Sequence, residues 1–297
     1  MEPRRKKREL VAVVALPVLA LLSSALLALT LTTSTTPYSI YNSGDSGLSS
    51  LYKASKLVVW SPKDIERLDP ERHALIVFMA RKPGNETIRE LLQWVSRGGS
   101  IMVLDEKGYS NPLLRGLGLP ARIEGHWVYD PLRNAGSRED PLTSAKLGDR
   151  EFRLVFHTVA SLTIEGENSG LVVLARTSIL SYTDLDDNGY YSFSDTISSK
   201  PLVVVSHRGK STTVVVPDLD FLSNYCSKKG DNLAFTRLLF KEKSIVLYSG
   251  LNNMSRVDLL KYTYYSSIGF LGVTAARLSL LLLLVFSAAL VGVYEAR

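Results

Sequence analysis

The sequence predicts a doubly wound, mostly parallel α/β domain with a transmembrane helix at each end. Three observations carry this. Two long runs, Leu10–Leu31 and Leu278–Tyr294, contain no charged residue. Between them, short and mainly apolar β-branched runs alternate with stretches of helical period, as in strands covered on both faces by crossover helices. Helix start and stop residues fall between those runs.

Taken in order, residues 1–9 form a basic tail in which Arg4, Arg5, Lys6, Lys7 and Arg8 outweigh Glu2 and Glu9. Residues 10–31 follow as 22 uncharged positions, about 33 Å as a helix and enough to cross a bilayer. The run is longer than the core of a cleaved signal peptide, and no clear A-x-A site precedes Thr32–Pro37, so an anchor is expected. The basic tail places the N-terminus in the cytoplasm. Residues 32–36 are a Ser/Thr-rich linker, and 37–265 are the extracytoplasmic α/β domain.

Within that domain, Lys56–Trp60, His73–Ala80 and Ser100–Glu106 read as buried parallel strands. Asn85–Arg97 reads as a helix capped by Asn85, with Ile88, Leu91, Leu92 and Val95 in one stripe and Gly98 at its end. Asn111-Pro112 repeats the start signal. Arg122–Lys200 is less regular, with β additions and loops. The pattern resumes at Pro201–Ser206 and Thr212–Pro217, then a helix at Asp231–Phe240 and a strand at Ser244–Ser249. A second spanning helix is expected over 268–294, with the uncharged core 278–294 about 25 Å long. Arg277 and Tyr262, Tyr264 and Tyr265 suit its outer interface. Residues 295–297 return to the cytoplasm. The expected location is therefore the cell membrane, with both termini cytoplasmic, the central domain extracytoplasmic and the lipid bilayer as a partner.

The net charge of +6 does not argue for nucleic acid, because half of it sits in the tail and the rest forms no basic stripe. Cys226 is the sole cysteine, which excludes an intrachain disulfide. No G-x-[SC]-x-G elbow, P-loop or GxGxxG is present, and none of the four histidines has an acid two residues later. No catalytic residue is assigned on this basis.

The strongest local motif is Asp184–Asp195, D-L-D-D-N-G-Y-Y-S-F-S-D. It matches a twelve-residue calcium loop, with ligands expected from Asp184, Asp186, Asn188, the Tyr190 carbonyl, Ser192 and Asp195, and the sharp-turn glycine at Gly189. Position 12 is Asp rather than Glu and no flanking helix pair is evident, so a solvated acidic turn is the alternative.

Several motifs together carry a family resemblance. They are Pro37–Gly44 with Gly47 and Leu51-Tyr52, then Leu91–Val95 with Gly98–Ser100 and Val103–Asp105, and next Asn111, Leu113-Leu114 and Leu117–Leu119. Arg176–Ser178 with the D-L-D-D-N-G loop, and Val214–Asp218 with Phe221, Asn224 and Asp231-Asn232, complete the set. In order and spacing they resemble a family of membrane-anchored proteins with a class I glutamine-amidotransferase-like domain, the domain-of-unknown-function 4350 family. The resemblance implies a flavodoxin-like sheet without the Cys–His–Glu machinery of amidotransferases. It also implies kinship with auxiliary subunits of gliding-type ABC transporters and with intraflagellar transport proteins, where such domains bind or assemble.

The expected function is a membrane-tethered, non-catalytic binding or scaffolding module, an accessory subunit to other membrane proteins in one version. Ligands of open α/β sheets sit beyond the carboxyl ends of the strands, which nominates Asn42, Ser43, Asp105, Asp218, Phe221 and Asn224. The alternative is an extracytoplasmic carboxylate- or metal-dependent hydrolase using Asp105 and Asp218. Convergence of those two acids in a deep pocket would favour it, and separate capping roles would not.

Overall fold

A computed structural model describes residues 17–270, except 19, 56, 167–169 and 253. The chain divides into a central unit, Thr35–Asn253, and a terminal unit, Met1–Ser34 with Met254–Arg297.

The central unit is built on a seven-stranded sheet of order β1-β13-β2-β3-β12-β11-β8. These strands are β1 (Leu57–Val59), β2 (His73–Phe78), β3 (Ser100–Leu104), β8 (Val172–Arg176), β11 (Pro201–Arg208), β12 (Ser211–Val216) and β13 (Ser244–Tyr248). The first five in the order are parallel, and β11 and β8 add antiparallel pairs. The sheet is thus mixed rather than wholly parallel. The expected neighbours β2, β3 and β12 do lie side by side, with Leu75 opposite Ile101 and Ile101 opposite Thr213.

Strand alternation explains why these runs are apolar throughout. Ala74, Ile76 and Phe78 pack on one face with Leu51 of α1 (Ser49–Ser55) and with Phe221 and Phe235. Leu75, Val77 and Met79 pack on the other with Ile65 of α2 (Pro62–Glu66) and with Leu91 and Trp94 of α3 (Asn85–Ser96). α3 ends as its glycines require: Gly98 adopts φ 87°, Gly98 N donates to Val95 O, and Gly99 N donates to Trp94 O. Gly99 lies under the Trp94 indole, where a Cβ would come within 2.3 Å of the ring.

Two expected caps differ. Asn85 and Asn111 are the first helical residues, preceded by Gly84 and Ser110. In α4 (Asn111–Gly116) the Asn111 amide is instead paired with both backbone groups of Ile123, at 2.8 and 2.9 Å. That pairing ties α4 to β4 (Ala121–Tyr129). The strand expected to run to Glu106 stops at Leu104, because Asp105 turns the chain.

The irregular middle contains a four-stranded sheet of order β10-β9-β4-β7 and a hairpin of β5 (Leu142–Leu147) with β6 (Arg150–Val155). In that sheet β7 is Ala160–Ile164, β9 is Tyr182–Thr183 and β10 is Thr196–Ile197. Two helices follow β12, α5 (Asn224–Lys229) and α6 (Asn232–Leu239).

In the terminal unit, residues 20–31 are helical. A helix α7 (Arg256–Phe270) starts at a capping box in which Ser255 N donates to Asp258 and Asp258 N donates to Ser255 Oγ. α7 thus begins inside the stretch 37–265. Eight of the 22 positions of the expected span 10–31, and all but three of 268–294, lie outside the described residues. Among the described residues, no helix is long and apolar enough to cross a membrane.

Candidate functional site

The carboxyl edge of the sheet is formed by the residues that follow β3 and β12, and the segment after the β5–β6 hairpin and the loop preceding α1 are hydrogen-bonded to it. Its nominated residues mostly turn inward. Asp105, fully buried, accepts from Lys107 N at 2.8 Å and from both Ser110 N and Ser110 Oγ, at 2.7 and 2.6 Å. Asp218, also fully buried, accepts from His157 N at 2.9 Å and from Asp220 N at 2.6 Å. Each acid therefore anchors a loop of its own.

Asn224 and Asn42 are brought together. Asn224 Nδ2 donates to the carbonyls of Asn42 and Gly44, and its Oδ1 accepts from Ser50 N at 2.9 Å. Asn42 closes its own turn, accepting from Gly44 N and donating to Thr36 O. The two amides clamp the first loop to the start of α5. Ser43 is exposed at that loop's tip, and Phe221 is fully buried in the core.

Other residues at this edge, absent from the sequence nominations, carry more of its chemistry. His157 follows β6, and its Nδ1 lies 2.5 Å from Asp140 Oδ1. Asp140 is buried, and its second oxygen accepts from the Tyr225 hydroxyl, with Lys229 Nζ at 3.6 Å. The His157 ring packs on Tyr225 at 5.0 Å between centroids. Tyr38 donates to Asp220 at 3.4 Å. Tyr38 and Thr158 both sit in the left-handed region, at φ 58° and 52°, conformations that cost non-glycine residues energy and concentrate at functional sites.

Burial dominates the electrostatics here. It pushes the Asp218 carboxyl well above the usual range, with Asp220 adding to the rise. Asp220 is raised by burial too, partly offset by His157. Burial, then the charge of Asp220, brings Glu106 to about 7. Burial, then Asp218 and Asp220, pushes the Cys226 thiol up, so it is an inert core residue rather than a nucleophile.

The second site is the Asp184–Asp195 loop between β9 and β10. Oxygens of Asp184, Asp186 and Asp195 all lie within 4.8 Å of one another. Asp184 is fully buried and accepts from Gly189 N at 2.7 Å. Asp195 accepts from Leu185 N at 2.9 Å and Ser192 N at 2.7 Å, and the Leu185 amide leads in holding its carboxyl below the usual range. Asn188 Nδ2 and Ser192 Oγ both donate to Asp186. Gly189 adopts φ 76° and Asp187 φ 56°, folding the chain back on itself. Three carboxylates thus converge in one small region, the donor type that a hard cation takes, while hydrogen bonds from within the loop already reach each of them.

The family model described as "Domain of unknown function (DUF4350)" matches residues 37–239. The chain belongs to this DUF4350 family. A search of curated proteins gave no match. Among solved structures, the mmIFT52 N-terminal domain is similar at a TM-score of 0.44 and 15% identity, covering 61% of this chain and 79% of that one. An exo-beta-1,4-mannosidase from Opitutaceae bacterium strain TAV5 is similar at a TM-score of 0.32 and 15% identity, covering 57% and 25%. A beta-galactosidase from Bacillus circulans sp. alkalophilus follows at 0.30 and 14%, covering 58% and 23%. This chain thus spans about a quarter of each glycosidase. Likeness at these scores carries no argument about activity.

Proposed function

We propose that this DUF4350 member is a membrane-tethered extracytoplasmic binding module that seats its ligand or partner subunit over the carboxyl edge of the central sheet. The tethers are the uncharged runs 10–31 and 278–294, and the five basic residues before the first place both termini in the cytoplasm. The amidotransferase-like kinship implied by its motifs belongs to the same proposal.

The observation that carries the reading is a division of labour at that edge. Asp105, Asp218, Asn42 and Asn224 all lock loops into place. Tyr38, Glu106 and His157 are left half-buried above them. A rigid floor under partly exposed polar groups is how binding sites on open α/β sheets are built. The loop Asp184–Asp195 would hold a structural calcium ion in this scheme.

The test uses the full chain in intact cells. Because Cys226 is buried, native background is low. Ser43→Cys is expected to react with a membrane-impermeant thiol reagent, and Lys6→Cys is expected not to react. A photoreactive residue at position 43 is expected to cross-link a partner, and one at the exposed Lys146 is not. Labelling of the Lys6 variant alone overturns the topology, and equal cross-linking from 43 and 146 overturns the binding edge.

A further inference from the structure

We infer that the hairpin 179–197 docks its exposed aromatic and aliphatic side chains into the outer interface of the bilayer, on zwitterionic lipid. This rests on the reading that the runs 10–31 and 278–294 tether the chain to that bilayer.

The hairpin concentrates exposed apolar surface. Ile179, Leu180, Tyr190, Tyr191, Phe193 and Ile197 are all at least half exposed, and Phe193 is fully so. In the rest of the central unit, the exposed large apolar side chains among the described residues are Leu57, Leu132 and Val172, which are scattered in sequence. Single exposed apolar groups need no partner, but a cluster within one short segment marks a surface that is covered in use.

The cluster is held in place. Asp130, fully buried, fixes the base of the hairpin by accepting from Ser178 N at 2.7 Å and from Ser178 Oγ at 2.6 Å. The buried Tyr182 stacks on Tyr129 at 5.3 Å between centroids and meets Tyr191 edge-on at 5.7 Å. Arg138 lies over the rings of both Tyr129 and Tyr190, at 5.3 and 4.6 Å. Two of the exposed rings are thus backed by fixed neighbours, so little ordering is lost when they are covered.

Chain connectivity names the occupant. At most about 25 Å of extended chain separates Leu31, the end of the uncharged run, from Tyr38. Tyr38 donates to Asp220, just after β12, and its carbonyl accepts from Asn252 Nδ2 at 2.9 Å, just after β13. Both ends of the central unit therefore leave from the carboxyl side of the sheet. The hairpin is attached at that same side: Ala160 N donates to Pro217 O, Ala160 pairs with Trp127, and Asp184 N donates to Trp127 O. A tether this short holds the hairpin at high effective concentration over lipid, so weak insertion suffices. Tyrosine and phenylalanine suit the headgroup boundary. Asp186 and Asp187, exposed in the same hairpin, select against anionic headgroups.

The test uses the full chain reconstituted into phosphatidylcholine vesicles, in buffer with EDTA. Cys226 is buried, so one environment-sensitive fluorophore can be placed on Ser194→Cys, beside Phe193, or on Lys210→Cys. Lys210 is exposed in the turn between β11 and β12, at the opposite edge of the sheet. The label at 194 is expected to shift to the blue and to be quenched by spin-labelled lipid, while the label at 210 stays as in water. Adding Tyr190→Ala and Phe193→Ala to the Ser194→Cys chain should remove most of the quenching and leave the melting transition in place. Replacing part of the phosphatidylcholine with phosphatidylglycerol should weaken it. Water-like emission at 194, equal quenching at 194 and 210, quenching kept without the two rings, or stronger quenching on phosphatidylglycerol overturns the inference. A label at 194 that is shielded in cells but not in vesicles assigns the surface to a partner protein and also overturns it. If docking fails while Ser43→Cys still reacts from outside, only the docking falls. Labelling of Lys6→Cys alone removes the tether and the docking together.

Discussion

The carboxyl edge and the Asp184–Asp195 loop are built from the same residue type and drive it in opposite directions. At the edge, Asp218 and Asp220 are buried among other acids, and their carboxyls resist ionisation. In the loop, backbone N–H groups converge on Asp195 and favour its ionised form. Asp218 also accepts two backbone N–H groups, so an aspartate's chemistry is set by whether burial outweighs the donors that reach it. At the edge the acids are held toward their neutral form, and in the loop Asp195 is held toward its charged form.

The largest effect expected from breaking this contrast is at the clamp. Asn224→Ala removes an amide that joins the carbonyls of Asn42 and Gly44 to Ser50 N, leaving buried groups unpaired. A loss of about 3 kcal/mol in chemical unfolding is expected. A loss below roughly 1 kcal/mol would mean that the edge is not locked by this residue.

A smaller effect separates the edge by pH. The Glu106 carboxyl sits at about 7 in the folded protein, above its ordinary 4.5. Its ionisation therefore lowers stability as pH rises from about 4.5 through 7. Glu106→Gln should leave stability unchanged at pH 4 and raise it by about 2 kcal/mol at pH 8, with partial exposure discounted. No gain at pH 8 would place Glu106 in water.

The smallest effect belongs to the loop. Calcium at ten times its dissociation constant should stabilise the central unit by about 1.4 kcal/mol, roughly 3–5 °C in melting temperature for a unit of this size. Magnesium should do less, because it demands a tighter octahedron and holds its water. Asp184→Ala with Asp186→Ala should abolish the shift and leave the calcium-free protein folded. A shift unaltered by that pair would place the ion elsewhere.

How legible each region was follows from sequence distance. The central strands could be read because both faces are buried, so Ala74–Phe78 and Ile101–Leu104 are apolar without alternation. The loop could be read because its three clustered carboxylates lie within twelve consecutive residues. The Asp140–His157 pair could not, since its members lie 17 residues apart on either side of a hairpin. Glu106 and Asp220 come from still other strand ends. Asp105 and Asp218 were found by their place after strands, but position alone does not show which way a carboxylate turns. Asn111 was misread for a related reason, as its amide serves Ile123 rather than its own helix.

The order of strands also bears on how the protein is made. β13 is the last strand of the central unit, yet it lies between β1 and β2. The hydrogen bonds of β1 and of one side of β2 therefore wait for Ser244–Tyr248 to emerge from the ribosome. Until then β2 presents an open, mainly apolar edge of the kind that invites pairing with other chains. Truncation anywhere before residue 244 should consequently yield an aggregating fragment rather than a smaller folded domain.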